Sequence, residues 1–259
     1  MPSSGRLTFV QCTTNHVSAI GQARPYEVCR ELSRVAAGSR ASQTGEGGSV
    51  ATWLIAGLVM LLAAFALAAI AAGEGIVPGD VAIARAVQRP VSPEIDTIAR
   101  FASLVGNDFP SMVVLALIGI FILICLRRLE LALILAVAVA LRAVGPVLKR
   151  LIASPRPTSE VIAIIVQSQG LGFPSGHAMG AALFYGAIAI IAPQVVENRL
   201  LARGIQVGAV VVMALIALSR VRLGVHWPSD VVGGLLFGLA IVCLLQAAFL
   251  GWRQAHIRR

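Results

Sequence analysis

Charged side chains are scarce in this chain. Asp, Glu, Lys and Arg make up 13% of its 259 residues, against about 25% in a soluble domain. With 58% hydrophobic residues and a mean hydropathy of +0.86, this argues against a soluble globular protein and for an integral membrane one. Aromatics are also few, at 5%. The net charge is +9, but the basic residues are scattered and no patch interleaves them with stacking rings. Nucleic acid is therefore not an expected partner, and the charge is assigned to cytoplasmic loops and to anionic lipid or phosphate. The four cysteines, Cys12, Cys29, Cys125 and Cys243, form no CxxC pair. That pattern argues against a disulfide framework or a zinc site.

What is present is a series of apolar runs. Residues 1–49 contain none, so they do not read as a cleavable signal peptide. They read as a disordered cytoplasmic tail with a short helix around YEVCRELSRVAA, or as sequence upstream of the true start. Six segments follow, at about 50–72, 109–126, 129–148, 177–193, 204–220 and 230–250, each near the roughly 20 residues that cross a bilayer. The expected fold is all-α: a polytopic six-transmembrane-helix bundle over 50–250, with a basic cytoplasmic tail at 251–259. The connection 73–108 is polar, with an amphipathic piece around DVAIARAVQ expected on the membrane surface. Arg127, Arg128, Arg199, Arg203 and the C-terminal arginines mark one side as cytoplasmic. Lys149, Arg150 and Arg156 fall on the opposite side and break that rule.

Three short stretches converge on that outer side: Lys149 through Arg156-Pro157, the FPSGH of 173–177, and Ser219-Arg220 through His226 and Asp230. Lys149, Arg156 and Arg220 can neutralise a phosphate, arginine offering its oxygens a planar fork. Ser175 and Gly176 stand where a helix begins, and free N–H groups and the dipole favour an anion there. Two histidines, His177 and His226, can divide the roles of nucleophile and general acid. Asp230, four residues after His226, can hold one imidazole nitrogen and set the tautomer. These are the parts for phosphoryl transfer through a phosphohistidine, with no metal and no cofactor.

Together the three stretches resemble the signature motifs of the type 2 phosphatidic acid phosphatase superfamily, which also contains vanadium haloperoxidases and bacterial acid phosphatases. The resemblance covers about 50–250. It implies His226 as nucleophile, Asp230 as its partner and His177 as the acid for the leaving group. It implies Lys149, Arg156, Ser175, Gly176 and Arg220 as phosphate binders. The expected function is a metal-independent lipid phosphatase in the cell membrane, with its site on the outer face. Undecaprenyl diphosphate, phosphatidate and phosphatidylglycerophosphate are candidate substrates. A lipid-phosphate-binding transporter or scaffold, and a vanadate-dependent haloperoxidase-like enzyme, are the alternatives. Arg142 lies outside the motifs, in a run whose interior holds no acid. A charge there is costly and often functional, and it is expected to line the path of the lipid phosphate.

Overall fold

The computed structural model describes residues 48–107 and 109–257; the expectations for the first 47 residues lie outside it. All regular structure among the described residues is helical. In chain order the helices are α1 (Val50–Glu74), α2 (Asp80–Gln88), α3 (Pro93–Asn107), α4 (Phe109–Cys125), α5 (Leu129–Ala140), α6 (Val144–Ile152), α7 (Gly176–Val195), α8 (Arg199–Arg222) and α9 (Pro228–Ile257). A single 3-10 turn, Leu141–Ala143, joins α5 to α6.

Among the described residues, five helical stretches are long and apolar enough to cross a membrane: α1, α5 with α6, α7, α8 and α9. The expected second span, α4, has 17 residues and is shorter than the others. The run expected at 129–148 continues to Ile152 and is not one regular helix. Pro146 accounts for the break. Proline has no N–H to give the carbonyl four residues back, and its ring crowds that carbonyl, here that of Arg142. Pro193, in the last turn of α7, likewise gives up the bond to the carbonyl of Ala189, and the Gln206 side chain on α8 donates to that oxygen at 2.9 Å. A freed carbonyl at membrane depth has to find such a partner.

Within a bilayer, apolar area alone gives helices little reason to associate, and close packing of small residues takes over. Helix α7 is the hub. Ala178 through Phe184 are buried without interruption, so every face of its first turns is covered. Gly234 and Gly238 of α9, one turn apart, let the two backbones touch. A Cβ at Gly234 would lie 2.6 Å from the Ser175 carbonyl oxygen, and one at Gly238 would lie 2.8 Å from that of Met179. Helix α1 joins α9 through a similar seam of Gly57, Ala64, Ala68 and Ala71. Large apolar side chains instead point outward, among them Leu62, Phe65, Phe121, Val207 and Leu218, as a lipid-facing surface requires.

The connection expected to be polar and only partly helical is a two-helix strap, α2 and α3. Its helix α3 packs along α8 and α7. Arg85, Gln88 and Arg100 donate to the backbone carbonyls of Val161, Ala163 and Ile165, so the strap grips the irregular segment between α6 and α7. Asp80, at the start of α2, is 3% exposed and accepts the backbone N–H of Ser229 at 2.8 Å and its hydroxyl at 2.6 Å. That carboxylate caps the first turn of α9 from 149 residues away. Removing it would strand two buried donors, at about 1–3 kcal/mol each.

Candidate active site

The segment before α7 and the turn between α8 and α9 meet at one end of the bundle. Ser175 is the N-cap residue of α7 in an extended conformation, and its N–H donates to the carbonyl of Asp230 at 2.9 Å. Ser175 is fully buried, and its hydroxyl meets no hydrogen-bond partner among the described residues. Gly176 follows, and a Cβ there would meet nothing within 4 Å. An orphaned hydroxyl and open space at a helix N-terminus fit an anion seat.

His226 lies in the short turn before α9 and is 2% exposed. Its Nδ1 is 3.0 Å from Asp230 Oδ2, an oxygen that also accepts the N–H of Trp227 at 3.0 Å. The carboxylate accepts the Nδ1–H, which places the lone pair on Nε2. Nε2 stands 3.3 Å from Arg156 Nη1, which donates to it. Burial pushes the His226 imidazole well below its ordinary pKa, and the charges of Arg156, Lys149 and Arg220 push it further the same way. The ring is therefore neutral, with its lone pair on the side of the cations.

The cations come from three elements. Lys149, near the end of α6, donates to the carbonyls of Leu171 at 2.8 Å and Gly172 at 2.7 Å. Arg156 reaches Gly170 through Nε at 3.1 Å and Val225 through Nη1 at 2.6 Å. Both side chains thus tether the loop that leads into FPSGH. That loop has no room to spare, since a Cβ at Gly172 would lie 2.9 Å from Asp230 Oδ2. Arg220, near the end of α8, is 5% exposed; its Nη1 donates to Ser103 Oγ, and its Nε meets no partner among the described residues. His177, half-buried in the first turn of α7, is within electrostatic reach of Arg220, Arg142, Arg156 and Lys149.

All eight residues expected from the motifs therefore gather at one site. Arg142 sits below it: its guanidinium packs 3.4 Å from where a Cβ of Gly180 would be, three residues along α7 from His177, and Nη1 lies 3.7 Å from Met112 Sδ. Arg142 lies in the 3-10 turn Leu141–Ala143, and it and Lys149 are both within electrostatic reach of His177. Asp80 and Ser103, which hold Ser229 and Arg220, are not singled out by the motifs. Among the described residues, no three of His, Cys, Asp and Glu cluster as metal ligands would.

The PAP2 superfamily model matches residues 127–253. A decaprenylphosphoryl-5-phosphoribose phosphatase of Mycobacterium tuberculosis is 33% identical over 186 residues, which is 70% of this chain and 96% of that protein. This chain belongs to the PAP2 superfamily. Phosphatidylglycerophosphatase B of Bacillus subtilis is 35% identical over 109 residues, 40% of this chain and 51% of that protein. The crystal structure of a transmembrane PAP2-type phosphatidylglycerolphosphate phosphatase from Bacillus subtilis matches with a TM-score of 0.62 at 27% identity, covering 77% of this chain and 96% of that one.

Proposed function

We propose that this chain is a membrane lipid phosphatase that hydrolyses a lipid phosphomonoester through a phosphohistidine. The observation that carries the reading is the buried His226–Asp230 pair, with a guanidinium at the other ring nitrogen. The phosphate sits at the Ser175–Gly176 end of α7, among Lys149, Arg156 and Arg220. Nε2 of His226 attacks phosphorus while the bond to the lipid-borne oxygen breaks. His177 gives that oxygen a proton, so an alcohol leaves. The imidazole, now phosphorylated on Nε2, keeps its Nδ1 proton on Asp230. Water then attacks the same phosphorus, giving a proton to His177, and inorganic phosphate and a neutral His226 are restored. Cationic side chains and a helix N-terminus neutralise the phosphate oxygens throughout, so no step calls for a metal. The names of both relatives describe a phosphate on a lipid-linked hydroxylated group, which supports a monoester as substrate.

The test is phosphate release by purified protein in detergent, with chelator present. Phosphatidylglycerophosphate, phosphatidate and undecaprenyl diphosphate serve as substrates. At least one monophosphate is turned over in chelator, faster than the diphosphate. Activity lost in chelator and regained with magnesium would sink the metal-free mechanism, and a preference for the diphosphate would sink the monoester reading.

The same proposal places the site on the outer face. With α4 counted as a short sixth span, both termini share a side, and the arginine-bearing ends Arg127-Arg128 and Arg199 face the cytoplasm. Ser168, beside the site, and Glu197, at the far end of α7, are both exposed. Single cysteines at these two positions, in a chain lacking Cys12, Cys29, Cys125 and Cys243, separate the orientations. Glu197 is chosen because its neighbour Asn198 caps α8. In intact cells an impermeant maleimide labels position 168 and spares 197; the reverse pattern overturns the orientation.

A further inference from the structure

Two arginines stand two residues apart at the end of α8, and α3 anchors both. Arg222 donates through Nε to Asp96 Oδ1 at 2.7 Å, so its charge is met by a carboxylate. Arg220 donates through Nη1 to the hydroxyl of Ser103, 117 residues away in sequence. Asp96, Arg100 and Ser103 are spaced four and three apart, which puts them on one face of α3. Along that face α3 thus holds Arg222, the Ile165 carbonyl and Arg220.

The choice of a hydroxyl at Ser103 matters for electrostatics. A serine fixes one corner of the guanidinium without cancelling its charge. A carboxylate there would pair with Arg220 as Asp96 pairs with Arg222, and would compete with an incoming phosphate. Arg220 is buried, its Nε is uncommitted among the described residues, and it lies within electrostatic reach of His177, His226 and Lys149. A long side chain held at one end of its fork loses less rotamer freedom when a ligand binds. We infer that Ser103 is a positioning residue that aims Arg220 at the phosphate while leaving its positive charge undiminished. The assignment rests on the reading of Arg220 as a phosphate binder.

The experiment uses the full-length protein in detergent, with inorganic phosphate, the reaction product, as the competing ligand. Ser103→Ala raises both KM and the phosphate inhibition constant about tenfold, the worth of one hydrogen bond to a charged group, while kcat changes less than about threefold. Ser103→Thr, which keeps the hydroxyl, restores both constants. Ser103→Asp weakens phosphate at least as much as alanine does, because it neutralises Arg220. Asp96→Asn, which loosens α3 at Arg222 instead, leaves the phosphate constant unchanged and separates aiming from simple anchoring. Unchanged constants in Ser103→Ala, or an aspartate variant that binds phosphate as wild type does, overturn the role of Ser103. Arg220→Ala distinguishes the two layers of the argument. If it too leaves phosphate inhibition unchanged, Arg220 is not a phosphate binder and the seat itself is misassigned.

Discussion

Replacing His226 with alanine reduces phosphate release by about 10⁴-fold or more, as loss of the nucleophile does in other covalent enzymes. No neighbour can take its place. Asp230 is held by the Trp227 N–H and faces the other side of the ring, and in the proposed mechanism His177, at the start of α7, is committed to the leaving oxygen. Rapid quench with substrate labelled in the phosphate separates this from misfolding. Wild type accumulates an acid-labile phosphoenzyme, and the folded alanine variant does not. Wild-type rates in the variant would end the phosphohistidine mechanism. The same residue sets a pH signature. Only neutral imidazole attacks, and burial and the cations hold the His226 pKa well below its usual position. The neutral form therefore persists as pH falls through the ordinary imidazole range near 6.5, and its acid limb lies lower. Arg156→Ala removes one of those charges and moves the limb to higher pH relative to wild type. Substrate titration is common to both proteins and cancels in that comparison.

Replacing His177 with alanine costs about 10²–10⁴-fold with a lipid alcohol as leaving group, the usual worth of a positioned general acid. The alkoxide of a lipid alcohol is a poor leaving group unless it is protonated as the bond breaks. An aryl phosphate with a nitrophenolate leaving group needs no such proton, and the loss shrinks with it. Because a water must later be deprotonated in the same place, dephosphorylation of the enzyme slows as well, and the phosphoenzyme outlives that of wild type. An equal loss with both leaving groups would mean that His177 shapes the site without moving a proton.

The candidate site residues are easier to read in the sequence than the ones that hold them. Lys149, Arg156, Ser175, His177, Arg220, His226 and Asp230 sit in three short stretches. Residue type and local spacing announce them, and helix ends at one level of a bundle bring them together. Asp80 and Ser103 carry no such local mark. Each lies in a segment of mixed charge that looks like a connection, and each acts on a partner more than 100 residues away. Helix α3 is hard to read for the same reason: Asp96, Arg100 and Ser103 make one of its faces polar because they grip α8 and the loop, so the segment has the composition of a connection. The break at Leu141–Ala143 was legible in principle from Pro146, but hydropathy counts a proline in an apolar run as one more member. Helix α4, at 17 residues, has the composition of a span and a turn less than the usual length.

The strap bears on how such an enzyme is made. Ribosomes deliver the chain from its N-terminus, and helices enter the bilayer in that order. Asp80 and Ser103 are in place early, with Lys149, Arg156 and the FPSGH turn following. Their partners Arg220 and Ser229, and the nucleophile between them, arrive in the last fifth of the chain. Until α9 lies against α7 at Gly234 and Gly238, the Ser175 N–H has no Asp230 carbonyl to hold it. On the proposed mechanism, a nascent chain therefore passes through the membrane machinery among phospholipids with Lys149 and Arg156 in place but neither Arg220 nor His226, and becomes able to cut only when its final helix docks.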